Sequence, residues 1–184
     1  MKIAVIFGSH RRTGKNKEIE DMLTSLPLGH EIDFIRMADV NIKGCDSCYK
    51  CGEDSMCTIK DDFATILAKL SDADAIFIIT PVYASIPSKL TALFERLTSL
   101  LFTTKLMNTT RNPLYGKQSA VFCYCSSGIV DETGIKVILQ KFLMTGYSFH
   151  DVNYKFINEC PNANEKYDCN ICDYVKDVIV SMQT

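Results

Sequence analysis

Four cysteines crowd a short segment in the first third of the chain. They follow the spacing C-x2-C-x2-C-x5-C and are Cys45, Cys48, Cys51 and Cys57. Thiolates this close together are the usual ligands of an iron–sulfur cluster, although the last interval differs from the C-x2-C-x2-C-x3-C-P run of bacterial ferredoxins. Zinc also accepts four thiolates, and a loop of free thiols without a metal is a third interpretation. The spacing predicts a [4Fe–4S] site and leaves the zinc and metal-free alternatives open.

The other cysteines have a different pattern. The chain holds nine cysteines, so disulfides cannot pair them all, and such usage favours metal or redox chemistry in a reducing compartment. Cys123 and Cys125 lie two apart in a predicted strand, share one face and are expected in the core. Cys160, Cys169 and Cys172 form C-x8-C-x2-C, where unliganded thiols are a better interpretation than a second metal site.

A second chemically suggestive segment is the loop of residues 8–16, GSHRRTGKN, between a predicted strand and a predicted helix. The hydroxyls of Ser9 and Thr13, the guanidinium of Arg11, the amide of Asn16 and free backbone N–H groups converge on one helix start. This favours a phosphate cradle over an ordinary turn. A nucleotide-binding P-loop fits poorly, because five residues separate the two glycines and an asparagine stands where the Mg²⁺-binding hydroxyl belongs.

These loops need a scaffold, and the chain alternates strand-like and helix-like segments. The predicted strands are Lys2 to Phe7, Glu31 to Arg36, Ala73 to Thr80, Gln118 to Cys125 and Tyr147 to Ile157. The predicted helices are Lys15 to Leu26, one that starts at Asp61-Asp62 with both acids in its first turn, Ser88 to Leu101, Asp131 to Leu143 and Tyr167 to Met182. Five β–α units without a linker or repeat predict one α/β domain over residues 1–184, built on a doubly wound parallel sheet.

Ligands of such sheets bind outside the carboxyl ends of the strands, at the point where strand order switches. Besides residues 8–16, the loops after the third and fourth predicted strands end at this edge. Pro81-Val82-Tyr83-Ala84 offers a fixed turn, backbone polar groups and an aromatic ring, and Ser126-Ser127-Gly128 offers a small turn. Together the three loops would line a crevice with a phosphate end and a flat-ring end, which is the shape of FMN.

The amino-acid composition indicates which kinds of binding partner this protein can have. The formal net charge of -2, the pI near 5.9 and scattered basic residues argue against nucleic acid or an anionic membrane surface. No apolar run approaches the roughly 20 residues that span a bilayer. The opening run Met1 to Phe7 is too short for a secretory signal. We therefore expect a cytoplasmic protein.

Several motifs in order resemble a known family. They are Gly8-Ser9-x-Arg11, the loop of residues 44–58 with its four cysteines, Lys60-Asp61-Asp62-Phe63, Ala73-Asp74-Ala75-Ile76, and Pro81-Val82-Tyr83 through Leu93-Phe94-Glu95-Arg96. The order resembles the NAD(P)H-dependent FMN reductase superfamily of flavodoxin-like fold, and the cysteine spacing is similar to its iron–sulfur flavoprotein branch. The resemblance covers roughly residues 1–130. It implies a five-stranded parallel sheet with strand order 2-1-3-4-5.

The resemblance also implies roles for residues. Ser9, Arg11 and Asn16 would hold the FMN phosphate, with Thr13 in the same loop. The ribityl chain and isoalloxazine would lie against Pro81, Val82, Tyr83 and Ala84, and Ser126 and Gly128 would close the other side. A homodimer or tetramer is implied as well. The sequence departs from the family in having Lys15 directly before Asn16 and a single glycine in the fourth-strand turn.

We therefore expect an FMN-dependent oxidoreductase that carries a [4Fe–4S] cluster and exchanges electrons with ferredoxin, NAD(P)H or small acceptors. The cofactors would carry the chemistry, so no side chain is assigned as catalytic. No G-x-G-x-x-G nicotinamide fingerprint follows the first strand. Direct use of NAD(P)H is therefore implied by the resemblance alone. The alternatives are a cluster-free NAD(P)H-dependent FMN or quinone reductase, and a zinc-stabilised flavodoxin-like binding module without turnover.

Overall fold

The computed structural model describes most of the N-terminal two thirds of the chain and short pieces beyond it. The described residues are 1–27, 29–83, 85–106, 111–125, 133, 135, 153–157, 175–177 and 179–180, with the backbone alone at residues 54 and 153–157. Among these residues, no helix combines the length and the apolar character that crossing a bilayer requires.

The strands form a parallel sheet. They are β1 Lys2–Phe7, β2 Glu31–Arg36, β3 Ala75–Pro81, β4 Gln118–Tyr124 and β5 Asn153–Ile157, in the spatial order β2-β1-β3-β4-β5. Every neighbouring pair runs parallel, with Phe7 beside Arg36 on one side and Ile79 on the other. The predicted α/β class with a parallel sheet is confirmed over β1 to β4, where the strand limits differ from the prediction only at their ends.

The helices are α1 Lys15–Ser25, α2 Cys51–Asp54, α3 Phe63–Asp72 and α4 Ser88–Thr103. The short helix α2 lies within the cysteine segment and was not predicted. Residues 133, 135, 175–177 and 179–180 also have helical backbone. The rest of the helices predicted at 131–143 and 167–182 lies outside the described residues.

The core lies on both faces of the sheet, because alternate residues of each strand point to opposite faces. All seven residues of β3 are buried, as its continuous apolar sequence predicts for a strand covered twice. On one face, Ile6 and Ile78 pack in a cluster with side chains of α3 and α4. On the other, Val5 and Phe77 pack with α1 and with the described residues 175 and 179.

One helix start differs from the prediction. Asp61 and Asp62 were expected in the first turn of a helix, but α3 begins at Phe63 and has no acid in its first turn. Asp62 is the N-cap residue, and Asp61 accepts from the Phe63 N–H at 3.1 Å, while both carboxylates also bind the preceding loop. Asp62 accepts from the Asn41 N–H at 2.6 Å, and Asp61 accepts from the Lys43 N–H at 2.9 Å. These long-range hydrogen bonds hold residues 41 and 43, just before the cysteine segment of residues 44–58, against the start of α3.

Candidate functional site

The loop after β1 leaves the sheet through a close approach to β3. The Gly8 N–H donates to the Ile79 carbonyl at 2.8 Å. A Cβ atom added at Gly8 would lie 2.8 Å from the Thr80 Cβ and 3.0 Å from the Leu90 Cδ2. Only glycine fits here, so the neighbouring strand and α4 determine where the loop of residues 8–16 begins. We call this loop the phosphate loop, after its predicted ligand.

The loop ends at the start of α1 in a glycine. Gly14 has φ 90°, a left-handed value that favours glycine, and its carbonyl accepts from the N–H groups of Lys17 and Glu18. No side chain caps this helix start. The N–H groups of the first turn and the positive end of the helix dipole are therefore directed toward the loop, as in anion sites.

A pocket of about 180 Å³ opens beside the loop. Three of the predicted phosphate ligands line it, whereas Thr13 is exposed and does not. Ser9 and Asn16 are buried, and the Ser9 Oγ accepts from the Arg11 N–H at 3.0 Å. The lining consists of Phe7, Ser9, Arg11, Arg12, Asn16, Lys17, Glu20, Arg36, Ala38 and Asp39.

The Asn16 amide has a fixed orientation. Its Oδ1 accepts from the Tyr124 hydroxyl of β4 at 2.7 Å, and its Nδ2 is buried with no acceptor among the described residues. Burying an unpaired N–H costs about 1–3 kcal/mol, so the site favours a ligand that accepts from it. Sequence reasoning missed Tyr124. The sequence did offer one indication: Tyr124 places a hydroxyl at the carboxyl end of β4, the end of the sheet at which the loop of residues 8–16 also lies.

Most charges around this pocket are paired. Arg12 lies 2.7 Å from Asp39, and Arg36 donates to Glu20 from two nitrogens, with Nη2 to Oε1 at 2.7 Å. The hydrogen bond from Arg36 holds the pKa of Glu20 below its usual value. Arg11 enters no salt bridge within the part of the chain that the structure describes. Its guanidinium is the cation left to attract an anion.

The predicted ring-binding residues that the structure describes, Pro81, Val82 and Tyr83, lie at the same sheet edge, at the end of β3, which is next to β1. Pro81 ends β3 beside Tyr124, and the buried Val82 donates its N–H to the Tyr124 carbonyl at 2.8 Å. Tyr83 is 60% exposed. None of these three residues lines the pocket beside residues 8–16. The predicted contacts Ala84, Ser126 and Gly128 lie outside the described residues.

The cysteine segment curls over the second half of α4. Ser47, Tyr49 and Ser55 have positive φ values of 52°, 57° and 56°, which turn the backbone sharply. Gly52 of α2 packs against α4 so closely that an added Cβ would lie 2.8 Å from the Thr103 Cγ2. This curl brings the separate thiols to one side of α4.

The four predicted ligands, Cys45, Cys48, Cys51 and Cys57, line a single pocket of about 230 Å³ against α4. The Ser47 N–H donates to the Cys45 sulfur at 3.4 Å, a kind of contact that stabilises thiolates. Within the described part of the chain, no three His, Cys, Asp or Glu side chains are gathered as metal ligands are. The thiols therefore share a pocket without forming a closed site.

One thiol of this pocket has an altered acidity. Hydrogen bonds from the Lys50 N–H and the Thr58 hydroxyl lower the pKa of Cys48 below its usual value. The Cys48 sulfur lies 3.8 Å from the Thr58 Oγ1. Thiolate is the form that binds metal, so these contacts favour ligation.

A buried ion pair borders the cysteine pocket. The Arg96 Nη1 lies 2.5 Å from the Asp61 Oδ2, and both side chains are almost fully buried, at 1% and 0% exposure. Burial would raise the pKa of Asp61, but hydrogen bonds from Arg96 and from the N–H groups of Lys43 and Phe63 outweigh it, so this pKa lies below its usual value. Sequence reasoning noted both residues as motif members and missed the pair.

Most of this chain matches a known protein family. A family model described as NADPH-dependent FMN reductase matches residues 1–144. An iron-sulfur flavoprotein of Methanocaldococcus jannaschii is 34% identical over 99 residues, which cover 52% of this chain and 51% of the relative. An iron-sulfur flavoprotein of Archaeoglobus fulgidus is 39% identical over 87 residues, which cover 45% and 41%. The chain thus spans about half the length of the curated relatives it matches.

Solved structures are similar over the whole chain. A flavodoxin from the domain Archaea has a TM-score of 0.54 and 15% identity, and the match covers 99% of this chain and 96% of that one. At this identity the likeness concerns the fold alone. It confirms the predicted flavodoxin-like class.

Proposed function

Because this chain belongs to the NADPH-dependent FMN reductase family, we propose that it is an FMN-dependent oxidoreductase built as one flavodoxin-like domain with a five-stranded sheet. The observation that carries this proposal is the Asn16 amide. Its Nδ2 is buried without an acceptor among the described residues, in the lining of a pocket at a helix N-terminus. A phosphate oxygen is the acceptor that such a place suits.

Each residue of the phosphate loop would make a different contact with the FMN phosphate. Asn16 would donate from Nδ2 to a phosphate oxygen, and the uncapped first turn of α1 would donate backbone N–H groups. Arg11 would supply the positive charge, because its neighbours Arg12 and Arg36 are already paired with carboxylates. Ser9 and Thr13 would complete the predicted set, Ser9 from within the pocket and Thr13 from its exposed position.

The isoalloxazine end of the flavin would lie at the carboxyl ends of β3 and β4. Pro81 and Val82 would place backbone polar groups against it, and the exposed ring of Tyr83 would offer a flat apolar surface. Ala84, Ser126 and Gly128 complete the proposed contacts. Neighbouring parallel strands end at one edge, which supports a single crevice over β1, β3 and β4.

FMN held by the phosphate loop and by Pro81, Val82 and Tyr83 would supply hydride chemistry with a donor such as NAD(P)H, and a cluster held by the four cysteines would supply one-electron transfer. This chain's residues would bind and orient these groups, and none is assigned as catalytic. We propose ferredoxin or a small molecule as the acceptor, a homodimer or tetramer as the assembly, and the cytoplasm as the location.

The FMN proposal is tested by comparing FMN with riboflavin, which lacks the phosphate. The apoprotein should bind FMN about 10- to 100-fold more tightly, as expected for a charge-assisted hydrogen bond. Asn16→Asp keeps the acceptor for Tyr124 but removes the donor, so it should erase most of this preference. Quenching of flavin fluorescence measures both affinities.

The matched control is Asn41→Asp, which alters an exposed asparagine outside the pocket and should keep the preference. Equal affinity of the wild-type protein for FMN and riboflavin would exclude the phosphate site. An unchanged preference in Asn16→Asp would remove Asn16 from it.

We further propose that Cys45, Cys48, Cys51 and Cys57 hold a [4Fe–4S] cluster. Three features support this: four thiols line one pocket, a backbone N–H already donates to one sulfur, and two relatives are named iron-sulfur flavoproteins. Metal binding would draw the thiols together, because metal sites commonly close only when the metal binds.

Anaerobic purification with analysis of iron, sulfide, zinc and FMN tests the cluster. Cys48→Ser should lose iron and keep most FMN, because the phosphate loop is a separate pocket. Cys123→Ala, which removes a thiol buried in the core, should keep both. Unchanged iron in Cys48→Ser would refute the assignment. Protein with FMN and no metal would indicate a cluster-free reductase, and zinc alone would indicate the zinc-stabilised module.

A further inference from the structure

Arg96 is a buried cation with hydrogen-bonding capacity that the described residues do not use. Its side chain is 1% exposed, and its guanidinium lies over the Phe63 ring, 4.2 Å from the centroid. Nη1 donates to Asp61 at 2.5 Å and to the Lys43 carbonyl at 3.4 Å. Nε and Nη2 are buried and have no hydrogen-bond acceptor among the described residues. Leaving two charged donors unpaired is costly unless something accepts from them.

The unused side of Arg96 borders the cysteine pocket. Arg96 lines this pocket together with Cys45, Cys48, Cys51 and Cys57. The partners that a buried guanidinium prefers are anions. A set of metal-bound thiolates is an anion, whereas a set of neutral thiols is not.

We propose that Arg96 is a positioning residue for the metal cluster, donating from Nε and Nη2 to the sulfur of a cluster-ligating cysteine in the pocket that it lines, and raising the cluster's reduction potential. The inference rests on the proposed function, because it requires that the four cysteines hold an iron–sulfur cluster. Hydrogen bonds and positive charge near the sulfurs favour the reduced form, which carries one more negative charge. Asp61 would oppose this effect in part, because it neutralises some of the guanidinium charge.

A purely structural role makes a different prediction. If Arg96 served only as the partner of Asp61, the loss of either residue would have the same consequence, namely a buried charge without its partner. That role accounts for Nη1 and leaves Nε and Nη2 unexplained. Substituting the two residues separately therefore discriminates between the interpretations.

The experiment uses the full chain, reconstituted anaerobically with ferrous iron and sulfide. The variants are Arg96→Gln, Arg96→Lys and Asp61→Asn. The readouts are the midpoint potential from a spectroelectrochemical titration and the rate of iron loss to a chelator. Arg96→Gln should shift the potential to a more negative value and lose iron roughly tenfold faster or more, as expected when an outer partner of a metal site is removed. Arg96→Lys should shift it less, and Asp61→Asn should shift it to a more positive value.

Each other outcome counts against the inference. A wild-type potential in Arg96→Gln, or a negative shift in Asp61→Asn equal to that in Arg96→Gln, would overturn it while leaving the cluster in place. Wild-type protein that takes up no iron would refute the cluster itself and the inference with it. If Arg96→Gln does not fold, as judged by circular dichroism, Arg96→Lys decides, because it keeps the charge and loses the forked donors; an unchanged potential there would overturn the proposal.

Discussion

Asn16 and Arg96 each bury N–H groups that have no acceptor among the described residues, and each lines a pocket. Folded proteins leave few buried polar groups unpaired, so such groups call for an explanation. Asn16 borders the phosphate loop, and Arg96 borders the four thiols. A phosphate at one pocket and a thiolate-bound cluster at the other would satisfy both residues.

The thiols themselves differ in accessibility. Cys123 is 1% exposed, and burial raises its pKa to about 12, so it stays a neutral thiol at physiological pH. Cys48 is exposed. In chelator-treated native protein at neutral pH, we expect iodoacetamide to modify Cys48 and to leave Cys123 unmodified until the protein is unfolded. Peptide mapping by mass spectrometry measures this, and early alkylation of Cys123 would contradict its burial.

At the scale of elements, α4 connects the phosphate loop to the cysteine pocket. The Lys89 N–H at its start donates to the His10 Nε2 of the phosphate loop at 3.3 Å. Arg96 lies farther along the same helix, about 12 Å from Ser88 at 1.5 Å per residue. Lys89 also donates to the carbonyls of Met37 and Val40, which tie the loop after β2 to α4. One rigid helix thus keeps the phosphate loop and the cysteine segment at a constant separation.

The approach of β1 to β3 and α4 at Gly8 allows a test at this scale. Gly8→Ala would place a Cβ 2.8 Å from the Thr80 Cβ and 3.0 Å from the Leu90 Cδ2. We expect a loss of about 1–3 kcal/mol in unfolding free energy from overpacking, with weaker FMN binding because the loop is displaced. Urea unfolding measures the first effect and flavin titration the second.

Gly44→Ala is the matched control for that variant. Its added Cβ would meet only the Glu95 Oε2, at an ordinary 3.5 Å. Its stability should stay within about 0.5 kcal/mol of the wild type. Equal effects of the two substitutions would show that the close approach at Gly8 does not limit the packing.

At the scale of the whole molecule, ion pairs link elements that are distant in sequence. Glu20 of α1 pairs with Arg36 at the end of β2, and Lys69 of α3 pairs with Asp33 of β2 at 2.6 Å. Lys117 donates to the Ser71 carbonyl at 2.9 Å and to the Ala73 carbonyl, which closes the end of α3. These contacts hold the helices on both faces of the sheet in register with the strands.

The Glu20–Arg36 pair makes global stability depend on pH. The hydrogen bond from Arg36 lowers the pKa of Glu20 below 4.5, so the carboxylate stabilises the fold above that pH and stops doing so as pH falls through the lowered value. We expect Glu20→Gln to be less stable than the wild type at pH 7 and to lose less stability on acidification below pH 4.5. Urea unfolding across pH measures both. Glu53→Gln, at an exposed carboxylate, should match the wild type at pH 7.

Much of the fold was predictable because local periodicity reports it. The continuous apolar run before Pro81 predicted a strand covered on both faces, and all of β3 is buried. The burial of Cys123 and Cys125 was also predicted correctly, although β4 ends at Tyr124 and leaves Cys125 just outside the strand. Helix α2 escaped prediction, because one turn of helix has no apolar period of its own. The prediction that Asp61 and Asp62 lie in the first turn of α3 was wrong. Asp61 instead binds the Lys43 N–H and the Arg96 guanidinium, partners that only the folded chain brings close.

The sequence by itself determined the chemistry on offer: four thiols at a cluster-like spacing, and a loop of glycine, hydroxyl, amide and guanidinium at a helix start. Residue types and their spacing are fixed along the chain, so they can be read before the tertiary structure is known. Only the tertiary structure decided which distant groups meet. Tyr124 reaches Asn16 across 108 residues, and Arg96 reaches Asp61 across 35. The reason is that a parallel sheet aligns the ends of strands far apart in sequence, and burial then selects which polar atoms stay unpaired beside each pocket.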